Sequence, residues 1–126
     1  MRKIKLINLI FVLLGVFLFG ACEYATIQPD APPPPPPPGD STSYSLKVQP
    51  IFNSGCTVCH SGATAPDLRE GKSYQSLMDN NMVVANNPAG SILYTCMQPG
   101  GVMASYSNAT KNATIYNWIL EGAKNN

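Results

Sequence analysis

Seven consecutive prolines, Pro32 to Pro38, settle where this chain can fold. Each ring fixes φ and removes a backbone N–H, so the run joins neither a helix nor a sheet ladder and favours the extended polyproline helix. The flanking residues share no apolar periodicity: Glu23 to Ser43 reads EYATIQPDAPPPPPPPGDSTS. Residues 22–43 are therefore expected to form an extended, disordered spacer. Its seven prolines would reach about 22 Å and the whole tether up to about 65 Å. Of the 126 residues, only 44–126 remain for a folded domain. That excludes a multidomain enzyme, and it is near the size at which an apolar core alone becomes marginal. An additional stabilising element is expected.

The N-terminus reads as an export signal. Met1 to Lys5 carries Arg2, Lys3 and Lys5, and Leu6 to Phe19 is an apolar stretch broken only by Asn8 and Gly15. Such a stretch is shorter than the roughly 20 residues that span a bilayer. It ends in Gly20-Ala21-Cys22, small residues before a cysteine, which resembles a bacterial lipoprotein signal. The resemblance implies removal of residues 1–21, acylation of Cys22, and a bilayer-anchored protein on the periplasmic or cell-surface side of a bacterial envelope. The alternative is ordinary secretion with Cys22 as a leftover thiol. Net charge is +1 over the whole chain, and from residue 22 onward five basic side chains face seven acidic ones. No basic surplus points to nucleic acid.

The chemistry concentrates in Cys56-Thr57-Val58-Cys59-His60. Two thiols and one imidazole on one turn of chain form the C-x-x-C-H pattern of covalent haem attachment. The thiols would add to the two vinyl groups of one haem c, and His60 would be delivered to the iron as its proximal ligand. Two other chemistries use the same residue types. A redox dithiol belongs before a helix in a βαβ unit, whereas the flanks here read helix before and Gly/Ala/Thr loop after. A structural zinc needs four ligands. His60 is the only histidine, and Cys96 is the only cysteine besides these two and Cys22, so a Cys₃His set can just be assembled.

A single histidine makes bis-histidine ligation within the chain impossible, leaving methionine, a weaker donor or nothing for the sixth position. Met97 and Met103 bracket a Gln-Pro-Gly-Gly-Val loop, whereas Met78 and Met82 lie in a short helical stretch and are expected in the core. From Tyr44 to Ala123 the pattern resembles small bacterial class I monohaem cytochromes c. The helical Ser45 to Phe52 runs into C-x-x-C-H, followed by Ala65-Pro66-Asp67-Leu68, Val84 to Tyr94 (VANNPAGSILY), Gly100-Gly101-Val102-Met103 and Ile115 to Gly122 (IYNWILEG). The resemblance implies an all-α wrap around one haem, with the Pro66 carbonyl accepting from His60 and Met103 as distal ligand, Met97 being the alternative. Met103 is followed by Ala104-Ser105 where the family has proline.

Apolar residues at Ile115, Trp118, Ile119 and Gly122 mark a final amphipathic helix capped by Asn108 or Thr110. Val48, Ile51 and Phe52 supply a matching first helix, kinked or delayed by Pro50. Short helices are expected at 73–79 and 88–95. Cys96 is expected as a buried thiol, with an intermolecular disulfide or haem ligation as alternatives. With one haem motif and no Ser/His/Asp set available once His60 is used, the reading is an electron carrier between envelope redox proteins, not an enzyme. The competing reading is a redox or diatomic-gas sensor with an open sixth position.

Overall fold

The computed structural model describes residues 41–126. The signal segment, Cys22 and the proline run lie outside the described residues. Among the described residues the chain is helical, with no strand. The described residues form four α-helices, α1 (Gln49–Asn53), α2 (Ser73–Asp79), α3 (Ile92–Met97) and α4 (Ala109–Leu120). A π-helical segment, Tyr44–Val48, leads into α1, and 3₁₀ turns occur at Cys56–Val58 and Ala104–Tyr106.

The π-helical segment is the form that the proline imposes on the first helix. Pro50 has no N–H, and its ring would meet the carbonyl four residues back in a regular α-helix. The turn before it widens instead, with the Gln49 N–H donating to the Tyr44 carbonyl. Ser43 caps this entry by accepting from the Leu46 N–H. The fold also begins earlier than residue 44. Thr42 is buried, and its N–H donates to Glu121 Oε2 at 2.6 Å. The Tyr44 N–H donates to Asn126 Oδ1 at 2.9 Å, so the two ends of the domain are clasped together.

α4 starts at the expected cap, Asn108, whose Oδ1 accepts from the Lys111 N–H at 2.9 Å. Its apolar stripe, Ile115, Trp118 and Ile119, is fully buried and packs on the π-helical segment and α3. Gly122 is not part of that stripe: the helix stops at Leu120 and Gly122 lies beyond its end. Trp118 is a core residue. Its ring lies 5.2 Å from Tyr44, and its indole N–H donates to the Lys124 carbonyl at 2.8 Å. The helix expected at 88–95 begins later, at Ile92, because its first residues serve a turn. Asn87 Oδ1 accepts from the Gly90 N–H at 3.0 Å, and the Ser91 hydroxyl is bonded to Val84 and Asn87.

Candidate functional site

α1 ends where the Ser54 N–H donates to the Pro50 carbonyl at 3.0 Å and the Ser54 hydroxyl to Ile51 O at 2.7 Å. The chain then closes a tight turn. The Cys59 N–H, at 3.3 Å, and the His60 N–H, at 2.9 Å, both donate to the Cys56 carbonyl. Cys56, Cys59 and His60 are thereby carried on one turn. Cys56 is half-buried and Cys59 exposed, and both are free thiols. Burial pushes the Cys56 thiol up from its ordinary pKa, an effect that the nearby Lys111 charge partly offsets.

The imidazole is held from one side. His60 Nδ1 lies 3.1 Å from the carbonyl oxygen of Pro66, the contact expected between these two residues. A carbonyl only accepts, so this contact places the ring proton on Nδ1 and leaves Nε2 as the nitrogen with a free lone pair. The Leu68 N–H returns to the His60 carbonyl at 2.8 Å and closes the loop between them. At the surface of this loop, hydrogen bonding to Arg69 holds the Asp67 carboxyl down at about 2.

These residues border an apolar cavity of about 310 Å³ that is partly open to solvent. Ligand pockets fall in this size range. Cys56, Cys59, His60 and Pro66 form part of its wall. Met97 and Met103 form another part, together with Met82 and Cys96. Phe52, Leu68 and Leu93 supply buried apolar surface to it. Both candidate distal methionines thus reach the same cavity, from different supports. Met97 ends α3 and is 7 % exposed within the core. Met103 sits half-buried on the loop that follows, where its N–H donates to the Cys96 carbonyl at 2.8 Å. Gly101 makes this return possible. A Cβ there would stand 2.6 Å from the Cys96 carbonyl carbon, and its oxygen would be nearer still.

Two side chains take places that the sequence pattern does not assign them. Met82, expected in a helical stretch and in the core, lies beyond the end of α2, packs half-buried against the core and borders the cavity. Cys96 is half-buried on the cavity wall rather than fully buried. Its thiol donates to the Leu93 carbonyl at 3.3 Å and is pushed up from its ordinary pKa, chiefly by burial. The step from Leu93 to Cys96 to Met97 along α3 is a face spacing that the sequence already holds.

The arrangement separates the chemistries that this motif allows. No group of three or more His, Cys, Asp or Glu side chains placed to hold a metal ion occurs among the described residues, so the Cys₃His zinc set is not assembled. Among the described residues no strand precedes the motif, so it lacks the βαβ setting of a redox dithiol. For a haem, the residues fit. Cys56 and Cys59 would supply the thioether links, His60 the proximal nitrogen, Met103 or Met97 a distal sulfur, and the apolar wall the enclosure. Comparison with known proteins returned no match, whether to a family model, a curated protein or a solved structure.

Proposed function

We propose that this domain is a monohaem c-type cytochrome that carries single electrons between redox proteins of a bacterial envelope, held to a bilayer through acylated Cys22. The observation that carries this reading is the shared cavity. A C-x-x-C-H turn, a histidine with its Nδ1 proton engaged, and two methionines border one apolar space of about 310 Å³. When bound, haem supplies a one-electron iron couple. Everything else falls to the chain. Cys56 and Cys59 fix the group in position, and the Pro66 carbonyl orients His60 and raises its basicity. Phe52, Leu68 and Leu93 exclude water from the buried side. With haem bound, a sulfur from Met103 or Met97 would close the site to exogenous ligands, which would separate a carrier from a gas sensor.

The test is expression of the full chain with c-type haem maturation. The wild type should give a pyridine haemochrome spectrum for one haem per chain and a haem-stained band on a denaturing gel. C56S/C59S should lose that band. Wild-type protein without covalent haem, or staining that persists in the double variant, would overturn the assignment. Carbon monoxide binding by the untreated wild type would replace the carrier with the sensor. C22S should release a haem-loaded protein from the membrane fraction, and retention there would remove the lipid anchor.

A further inference from the structure

We infer that Gln49, backed by Ser73 and Tyr44, is a positioning residue that aims the His60 ring through the backbone of Pro66 to Leu68. The inference deepens the haem reading and rests on it only for the redox arm of the test. Besides the packing of Leu68 in the core, the backbone of residues 66–68 is held by hydrogen bonds of two kinds. Two run to His60 itself: Pro66 O to Nδ1 at 3.1 Å and the Leu68 N–H to the His60 carbonyl at 2.8 Å. Two tie the segment to the helices behind it. Gln49 Nε2 on α1 donates to the Leu68 carbonyl at 3.1 Å, and the Asp67 N–H donates to the Ser76 hydroxyl on α2 at 2.8 Å. The ring can only be as well placed as the carbonyl it bonds, and those two side chains hold that carbonyl's segment to the fold.

Gln49 is suited to this by direction as well as reach. Tyr44 donates its hydroxyl proton to Ser73 Oγ at 2.6 Å, and Ser73 donates its own to Gln49 Oε1. That fixes which end of the amide is oxygen, so Nε2 must face outward, donating to the Leu68 carbonyl and to Asn53 Oδ1 at 2.9 Å. A rotated amide would set its oxygen against the Leu68 carbonyl, acceptor against acceptor. Gln49, Ser73, Tyr44 and Leu68 are all 5 % exposed or less. Water therefore cannot substitute for a missing partner, and loss of the amide leaves the Leu68 carbonyl unbonded. None of these residues except Leu68 touches the cavity.

The experiment uses the full chain with nitrogen-15-labelled histidine, first without haem, at a pH where the ring is neutral. Wild type should show the Nδ1-protonated tautomer. In Q49L the ring should shift toward the Nε2-protonated form, and exchange of the Nδ1 proton should quicken by up to about tenfold, the limit set by complete loss of its hydrogen bond to the Pro66 carbonyl. S76A, which removes only a half-buried hydroxyl, should move both readings in the same direction and serves if Q49L does not fold. Y74F is the control. It removes a bond from Tyr74 to the Ala123 carbonyl, at 3.1 Å, that is not part of this relay. It should lower stability without moving the His60 signals. In haem-loaded protein, Q49L and S76A should raise the midpoint potential, because a less basic ring favours ferric iron less. If Q49L or S76A lowers the melting temperature while the tautomer and exchange stay at wild-type values, the role is merely structural and the inference is overturned. Failure of the wild type to take up haem would overturn the proposed function and leave the tautomer result to decide this inference alone.

Discussion

Replacing Gly101 with alanine should displace the loop that carries Met103 while leaving the Cys56–His60 turn in place. Gly101 is not in the left-handed region of backbone space, so alanine brings no conformational penalty of its own. Its effect is steric. The new Cβ would lie 2.6 Å from the Cys96 carbonyl carbon and 2.7 Å from the Thr95 carbonyl oxygen. Ordinary carbon–oxygen contacts begin near about 3.3 Å and carbon–carbon contacts near about 3.5 Å, so the loop must retreat by roughly 1 Å. These obstacles are backbone at the end of α3 and cannot rotate away. Retreat therefore strains or breaks the Met103 N–H bond to the Cys96 carbonyl, which measures 2.8 Å. Overpacking of this kind costs about 1–3 kcal/mol. For a domain of this size, each kcal/mol lowers the melting temperature by roughly 4–8 °C. The neighbouring Gly100 separates space from backbone strain: it has φ +86, and a Cβ added there would have nothing within 4 Å. G100A should thus cost about 1–2 kcal/mol without pushing on α3. Thermal melts followed by circular dichroism give the stabilities. In haem-loaded protein, the sulfur-to-iron charge-transfer band gives the ligand geometry. G101A should weaken that band and G100A should keep it. Wild-type stability and an unchanged band in G101A would refute the close-approach argument.

Other expectations follow from single side chains. M103A should abolish the charge-transfer band, lower the potential and admit carbon monoxide, at little cost to the apoprotein. M97A should instead destabilise the domain by about 2–5 kcal/mol as a core truncation, with the band retained; a reversal of the two spectra moves the distal ligand to Met97. Burial raises the Tyr44 hydroxyl to about 12, against an ordinary 10.0. A group raised in the folded state contributes stability that is complete below its unfolded pKa and is lost as pH climbs through the folded value. Denaturant titrations should therefore show stability falling by about 2–3 kcal/mol between pH 10 and 12, and Y44F should abolish that part of the slope. N108A removes the cap on Lys111 N–H and should cost about 1 kcal/mol in the same titrations without altering the haem spectrum.

What can be read from the chain in advance is whatever depends on near neighbours in sequence. The α2 limits, the Asn108 cap and the buried Ile115, Trp118 and Ile119 face of α4 follow from local pattern, because capping and apolar spacing act within a few residues. The C-x-x-C-H turn is local in the same way. The delayed start of α3 is hidden because helix-favouring spacing in 88–95 competes with Asn87, whose side chain closes its own turn on Gly90. Met82 reads as core because the sequence pattern extends the 73–79 helix to it, whereas α2 stops at Asp79 and Met82 follows in the loop, half-buried against the cavity.

The clamp on His60 lies beyond the reach of sequence for a different reason. Gln49 and Ser73 stand 24 residues apart, and Gln49 and Leu68 stand 19 apart. In sequence each is a residue of ordinary kind, and a buried glutamine looks the same as an exposed one. Only the packing of α1 against the 66–68 segment shows that Gln49 has no access to water and must be bonded by protein at both ends of its amide. The domain boundary shows the same limit at longer range. The Thr42 N–H reaches Glu121 across 79 residues, so where the folded domain takes up the chain is set by its far end. Proline content marks where folding is forbidden, but it cannot mark where folding starts. That depends on whether a partner such as Glu121 is there to receive the first free N–H.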